Sequence, residues 1–267
     1  MKKNIFLGML ICFSLIIFLG LTRTVSAEES LEEIITKANN TAYYGGNDGR
    51  AKVKMTITDN QGRKRVREFT ILRFDIEDGK EQKYYVYFNK PVDVQDMVYM
   101  VWKYIDKDDD RWMYLPALDL VRRIAASDKR SSFVGSNFVY EDISGRGLTL
   151  DTHELVSSEG DMYKIKNTPK KADEVEFSYF EIYINKESYL PVKAEYYDKK
   201  GKLYKVITAL EVKDIQGHPT VVKSQAKDLL TNSKTVIDFS NIEYDLGIDD
   251  GVFTERYLRR PPRKWLD

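Results

Sequence analysis

Few residues of this chain have the types and spacing that catalysis or metal binding requires. The two histidines, His153 and His218, have no second histidine or cysteine at the spacing of metal ligands. No G-x-S-x-G elbow is present for a serine nucleophile. The adjacent acids Glu141 and Asp142 would point apart on either a strand or a helix, which does not suit an acid–base pair. The sequence therefore predicts no catalytic residue, no metal site and no cofactor.

The most distinctive side chains lie in one irregular segment from Asp110 to Asp142, which holds aromatic residues, a double arginine, a mixed-charge run and an acidic pair. Irregular backbone with large apolar side chains is either buried or covers something. We interpret this segment as a cover.

The charges of this cover have two interpretations. In the favoured one, Arg122 and Arg123 pair with Glu141 and Asp142 and tie the cover to a sheet, while Lys129-Arg130 forms a solvated loop tip. In the alternative, the same charges contact a ligand directly. The candidate residues are Arg122, Arg123, Lys129, Arg130, Glu141 and Asp142.

Residues 1–27 resemble an export signal rather than part of the fold. Lys2 and Lys3 precede an apolar run from Ile5 to Leu21, and the small residues before Ala27 offer a cleavage site after Ala27. An uncleaved membrane anchor is the alternative. Residues 28–267 then form a single domain without cysteine, which excludes disulfides. The chain has 42 basic and 42 acidic residues, so nothing indicates a nucleic-acid partner.

The first element that positions these residues is a short helix. Ser30 and Glu33 have the spacing of a capping box, and the apolar residues that follow recur at helical spacing on one face. From Ala51 the apolar period changes to two, which predicts strands. The run from Tyr84 to Phe88 places aromatic residues on both faces of its strand, so we expect both faces to be covered.

Strand patterns separated by turn signals recur through the rest of the chain, which predicts hairpins in series and an antiparallel sheet. A sheet of this size curls into an unclosed barrel with an apolar concave face. The fold class is therefore mainly β (α+β), with the N-terminal helix and a central helical segment over the concave face. Leu118, Val121, Ile124 and Ala125 have a weak helical spacing, and Ser136 suits a helix N-cap.

Three motifs carry a resemblance to a known family. W-x-Y-L-P begins at Trp112, R-R-I at Arg122 and K-R-x-x-F-x-G-S-x-F-x-Y-E-D at Lys129. This arrangement resembles the LolA-like family of outer-membrane lipoprotein-sorting proteins. The motif departs from the family at Asn137, where such proteins tend to have an acid, and this removes a charge that would pair with Arg123 or Arg130.

The resemblance implies an exported, periplasmic or extracytoplasmic carrier, monomeric and non-catalytic. Its cavity would hold the acyl chains of lipoproteins or free lipid beneath a lid around Asp119 to Ser144, and membrane-bound proteins would act as donor and acceptor. The residues expected to form the acyl cavity and lid are Met55, Ile57, Phe69, Ile71, Trp102, Trp112, Tyr114, Leu115, Phe133 and Phe138.

Other functions remain open at this point. The fold is also similar to the sensor domain of envelope-stress regulators, which bind a partner protein, and an accessory of a lipid transporter is a further alternative. A large apolar cavity would favour the carrier, and a filled core with an exposed apolar rim would favour the regulator. The basic C-terminal run from Arg256 to Trp265 is interpreted as a solvated tail, with contact to an anionic membrane or a partner as the alternative.

Overall fold

The computed structural model describes residues 29–77 and 79–266, and the expected export signal lies outside these ranges. Within them the chain forms one antiparallel sheet of thirteen strands and four short α-helices. No helix in the described ranges is long and apolar enough to cross a membrane.

Two meanders make up the sheet. The first consists of β1 (Asp48–Thr58), β2 (Lys64–Asp75), β3 (Gln82–Lys90), β4 (Val98–Lys103), β5 (Asp110–Leu115) and β6 (Leu120–Ile124). The second consists of β7 (Asp151–Ser157), β8 (Met162–Pro169), β9 (Phe177–Asn185), β10 (Pro191–Asp198), β11 (Leu203–Ile215), β12 (His218–Asp228) and β13 (Ser233–Tyr244).

The two meanders join through β1 and β13, which pair from Gly49 and Tyr244 to Thr58 and Lys234. Strands β6 and β7 are therefore left at opposite edges, and the sheet is not closed into a barrel. This confirms the expected large, unclosed antiparallel sheet with few helices.

The inner face of the sheet is covered by two segments. The helix α1 (Leu31–Tyr43) begins at the expected capping box: the Ser30 amide donates to Glu33 Oε2 at 2.8 Å, and the Glu33 amide donates to Ser30 Oγ at 3.3 Å. Three residues of this helix are buried: Ile34, Ile35 and Ala38. The second segment, residues 125–150, connects the two edge strands and contains α2 (Tyr140–Ser144). We call residues 125–150 the lid.

Two local expectations about the lid are wrong. The expected helical segment is instead a turn and the edge strand β6, which contains Val121 and Ile124. The four-residue connection 116–119 brings Leu120 back to pair with Leu115. Pairing with β5 provides hydrogen-bond partners for the backbone of this segment, which a helix would otherwise have provided. Ser136 does not cap α2 either; the cap position is Val139, whose amide donates to the Asp142 carboxylate at 2.9 Å.

The outer face of β2–β5 is covered by the C-terminal segment, residues 245–266, which includes α3 (Glu255–Arg259) and α4 (Arg263–Leu266). Trp102 Nε1 donates to the Phe253 carbonyl and Tyr85 Oη to the Tyr257 carbonyl, both at 2.7 Å. The interpretation of the run from Arg256 as a solvated tail holds for its exposed basic side chains but is wrong for its end, because Trp265 and Leu266 pack into the outer core. The buried apolar residues of the whole C-terminal segment are Ile248, Val252, Phe253, Leu258 and Leu266.

The aromatic residues of β3 accordingly lie in two different cores. Tyr84, Val86 and Phe88 pack on the inner face, whereas Tyr85 and Tyr87 pack on the outer face under the C-terminal segment. This confirms the expectation that both faces of this strand are covered.

The buried contacts of the C-terminal segment predict a large loss of stability on truncation of Leu258, which is 0% exposed. Leu258→Ala should lower the free energy of unfolding by about 2–5 kcal/mol. The matched control Leu230→Ala, at a leucine that is 60% exposed, should change it by less than about 0.5 kcal/mol. Urea unfolding measures both, and equal small effects would contradict this packing.

Candidate functional site

A cavity of about 470 Å³ lies on the inner face, between α1, the lid and the strands. Its volume is within the range of small-molecule sites, about 300–1,000 Å³. Most of the wall is aliphatic or aromatic. The main apolar lining residues are Ile35, Ala38, Val53, Phe69, Ile71, Phe138, Phe180, Ile182, Ala194, Ile207, Ile237 and Phe239.

The structure brings only part of the expected cavity residues to this wall. Phe69, Ile71 and Phe138 line the cavity. Four others belong to the inner-face core but do not line the cavity: Met55, Ile57, Leu115 and Phe133.

Trp102, Trp112 and Tyr114 lie on the opposite, outer face with the C-terminal segment, so their expected place in the cavity is wrong. Side chains alternate between the two faces of a strand, and Met113 of the same strand is the one that packs inside. Periodicity groups residues by face, but it does not identify which face encloses the cavity.

Sequence reasoning missed the contribution of α1 and of the second meander. The i, i+2 pairs Phe180/Ile182 and Ile207/Ala209 line the cavity, and this alternation was a usable signal. The position of Ile35 in the cavity wall was harder to predict, because an apolar helix face in the sequence does not indicate which surface it packs against.

Aromatic contacts are the first of two sets of contacts that hold the lid. The Phe133 ring is wholly buried, and its centroid lies 5.4 Å from that of Tyr99, 6.0 Å from Phe88 and 6.2 Å from Phe69. The Tyr140 ring meets it edge-on at 5.7 Å. These edge-to-face and tilted contacts dock the lid onto β2–β4.

Buried ion pairs are the second set of contacts that hold the lid. Arg130 donates to Glu141 Oε2 at 3.1 Å and to Glu176 Oε1 at 2.6 Å. Arg146 donates to Glu141 Oε1 at 3.1 Å and, through Nε, to Asp151 Oδ2 at 2.8 Å. The Arg130 side chain is 7% exposed and that of Glu141 3%, so removal of one partner would leave a buried charge without compensation.

A further buried pair joins the lid to the second meander. Lys205 Nζ of β11 donates to Asp142 Oδ2 at 2.9 Å. Burial alone would raise the pKa of Glu176, but the hydrogen bond and charge of Arg130 outweigh it, so the pKa of Glu176 is lowered. Arg130 therefore favours the ionised form of Glu176.

The expected partners of the acidic pair on α2 are wrong. Arg122 and Arg123 are exposed on the edge strand β6, where Arg123 pairs with Asp110 and Arg122 lies 4.0 Å from Asp128. Because Leu120–Ile124 is a strand rather than a helix, these arginines remain at the sheet edge and away from α2.

The expected solvated tip at Lys129-Arg130 is also wrong, since both side chains are buried. Lys129 Nζ lies 3.4 Å from Glu174 and 3.6 Å from Asp108. Of the two interpretations, pairing of the lid charges with protein groups is the one observed, with Arg130 and Arg146 as the main cations.

Asn137 and Gly145 fix two further points of the lid. Asn137 Nδ2 donates to Ser233 Oγ at 2.7 Å and its Oδ1 accepts from Thr235 Oγ1 at 2.8 Å, so neutral hydroxyls replace the charged partner that an acid would need. Gly145 has φ +78°, and a Cβ there would lie 2.6 Å from Tyr43 Cζ. Gly145 therefore permits close contact with α1 rather than freedom of movement.

A buried lysine contacts the C-terminal end of α2. Lys103 Nζ of β4 donates to the Ser144 carbonyl at 2.7 Å and lies 5.2 Å from the centroid of the Tyr43 ring. Burial lowers the pKa of Lys103 to about 8, although Asp109 and Glu141 act in the opposite direction. Burial likewise raises the pKa of Tyr43 to about 12.

The cavity wall offers little for catalysis. His153 Nδ1 lies 2.7 Å from Asn167 Oδ1, and its Nε2 lies 2.9 Å from the Leu148 carbonyl oxygen, so neither ring nitrogen is open to a substrate. Among the described residues, no group of three or more His, Cys, Asp or Glu side chains is arranged to hold a metal ion. The geometry suits apolar binding.

Comparisons with known proteins identify the family and the fold of this chain. A family model described only as an uncharacterized protein matches residues 80–260. A DUF1329 family protein from Desulfovibrio piger is 32% identical, with a TM-score of 0.78 over 84% of this chain and 96% of that one. This chain belongs to the DUF1329 family. No curated protein matches it significantly.

Two structures with lower sequence identity to this DUF1329 protein share its fold. A domain from Vibrio parahaemolyticus named for outer membrane lipoprotein sorting is 24% identical, with a TM-score of 0.78 over 85% of this chain and 97% of that one. A LolA superfamily protein from Nitrosomonas europaea is 18% identical, with a TM-score of 0.67 over 86% and 100%. At these identities the likeness concerns the fold, and the LolA-like resemblance is confirmed at that level.

The ion pairs of the lid predict unequal effects for two arginines of the same motif region. Arg130→Ala should lower the free energy of unfolding by about 3–5 kcal/mol, because Glu141 and Glu176 lose a buried partner. The matched control Arg123→Ala, at an exposed pair, should cost about 0–1 kcal/mol. Urea unfolding would contradict the network if the two variants lost equal stability.

The buried Lys103 predicts a pH dependence with a defined sign. Its folded-state pKa of about 8 is below the ordinary lysine value of 10.5, so the unfolded chain binds more protons than the folded one between these two pH values, and stability rises with pH there. Relative to Lys103→Met, the wild-type protein should gain about 2 kcal/mol in free energy of unfolding from pH 7 to pH 10. A constant or falling difference between the two proteins would contradict the lowered pKa.

Proposed function

We propose that this protein is an exported carrier that shelters acyl chains of lipoproteins or free lipids in its inner-face cavity. It acts outside the cytoplasm, after removal of the signal at Ala27, and passes its cargo as a monomer between membrane-bound donor and acceptor proteins without covalent chemistry. The observation that carries the proposal is the apolar cavity beneath α1 and the lid.

The physical need for such a cavity is large. Moving a sixteen-carbon acyl chain into water costs on the order of 11 kcal/mol, at about 0.8 kcal/mol per CH₂. This corresponds to roughly eight decades in the equilibrium constant. A wall of aliphatic and aromatic side chains removes most of this penalty during transfer, and the lid charges are already paired within the protein rather than directed at a ligand.

Two further observations support the carrier over the partner-binding regulator. The inner face contains an open apolar volume rather than a filled core, which is the feature that distinguishes the two. The Vibrio parahaemolyticus domain with the same fold is named for outer membrane lipoprotein sorting, and this chain would use the shared fold in the same class of task.

Filling the cavity tests the proposal. Ala194 lines the wall and pairs with Ile207 on the neighbouring strand. Ala194→Trp should weaken binding of a fluorescent sixteen-carbon fatty acid about tenfold or more, since loss of two buried methylenes already costs about this factor. The control is Ala172→Trp at an exposed alanine outside the cavity.

Fluorescence titration of both variants, with thermal unfolding to confirm equal folding, decides the outcome. Equal affinities for the two variants, or absence of probe binding to the wild-type protein, would contradict an acyl-binding cavity. Phe133 is unsuitable for this test, because it is wholly buried in the core and its substitution would change folding.

A further inference from the structure

The hairpin tips along one end of the sheet lie side by side. Thr58 pairs with Lys64 on β2 and with Lys234 on β13, so the turns 59–63 and 229–232 are neighbours. The antiparallel pairing of β2 to β6 places the connections 91–97 and 116–119 at the same end. These four connections form a continuous row.

Large apolar side chains project from this row. Val92 is 86% exposed, Leu118 70% and Leu230 60%, and these are the highest exposures among the large hydrophobic residues of the described chain. Leu120 and Leu229, at 46% and 39%, lie beside them. Single exposed apolar residues need no explanation, but several along one row of tips form a surface feature.

The C-terminal segment brings basic residues to the same end. Arg259 Nε donates to Asp119 Oδ1 at 2.9 Å, which places α3 against the turn that carries Leu118. Arg263 Nη2 lies 3.6 Å from Asp96 Oδ1, which places α4 against the connection that carries Val92. Both contacts fix arginines beside the projecting apolar side chains.

Charge is distributed unequally between the two ends of the strands. Residues 58–68, 90–97, 116–120, 227–234 and 254–266 contain twelve Lys and Arg and seven Asp and Glu residues. At the opposite strand ends, residues 79–81, 104–110, 158–161, 186–190 and 245–251 contain three basic and eleven acidic residues. A chain without net charge is thus strongly polarised along its strands.

Three basic residues of the C-terminal segment form no ion pair within the described chain: Arg256, Arg260 and Lys264. All three are exposed. Exposed cations around projecting leucine and valine side chains match the two components of an anionic bilayer surface, its charged headgroups and its acyl boundary. The acidic opposite end would be repelled by the same surface.

We propose that this basic end, defined by Val92, Leu118, Leu230, Arg256, Arg260 and Lys264, docks the protein on the surface of a bilayer that contains anionic phospholipid. The surface is separate from the cavity, so docking does not depend on whether the cavity holds acyl chains. Docking places the acidic strand ends away from the membrane.

Vesicle co-sedimentation tests this docking with phosphatidylcholine vesicles and with phosphatidylcholine mixed with phosphatidylglycerol. The wild-type protein should bind the mixed vesicles and release at high salt, because exposed charges are screened. Binding through an apolar N-terminal run would not depend on lipid charge. A difference in binding between the two kinds of vesicle therefore reports the charge-dependent docking alone. Equal binding to both vesicles, or binding to neither, would overturn the proposal.

Two sets of variants locate the surface. Arg256→Gln/Arg260→Gln/Lys264→Gln should weaken binding to the mixed vesicles about a hundredfold, at roughly fivefold for each basic residue removed. The matched control neutralises three lysines at the acidic strand ends, Lys80→Gln/Lys107→Gln/Lys186→Gln, and should not weaken it.

The apolar contribution is tested in the same assay. Val92→Ser/Leu118→Ser should weaken binding about tenfold or more, whereas Ile76→Ser, at a residue 50% exposed near the opposite strand ends, should have no effect. Thermal unfolding checks that all variants are folded. A loss of binding by the control variants equal to that of the test variants would overturn the assignment of the surface.

Discussion

A thirteen-stranded sheet whose two edge strands never pair sets the architecture of this protein. Its two meanders meet only through β1 and β13, so β6 and β7 lie at opposite edges. The chain must still connect them, and the only connection is the lid. The lid therefore crosses the inner face, packing by aromatic rings against one meander and by buried ion pairs against the other.

The same constraint explains where the cavity lies. The outer face of β2–β5 is filled by the C-terminal segment, and the aromatic side chains of the lid cover part of the inner face of β2–β4. Over the second meander the lid is held by charged groups at a few points, and α1 supplies the rest of the cover. Apolar wall is left uncovered between them, and this space is the cavity.

Local patterns were enough to predict much of the fold. The capping box at Ser30, the period of two and the turn residues predicted α1 and the meanders, because these features depend on neighbours in sequence. The aromatic run of β3 predicted cover on both faces for the same reason. Strand β6 was misjudged because five residues are too few for either period to be decisive.

The candidate site was less predictable, because its contacts are distant in sequence. Arg130 and Glu176 are 46 residues apart, and Asp142 and Lys205 are 63 apart, so no spacing rule indicates that they pair. Trp112 carried the right chemical type for a cavity wall but lies on the face covered by the C-terminal segment. Which face encloses the cavity is decided by the lid and the C-terminal segment, after the strands have paired.

Native mass spectrometry with lipid extraction, on the protein purified from the envelope of its host, tests the carrier account most directly. The account predicts one bound lipid or acylated peptide per chain, and extraction would identify the cargo class. A mass equal to that of the bare polypeptide, unchanged after incubation with lipid, would contradict it.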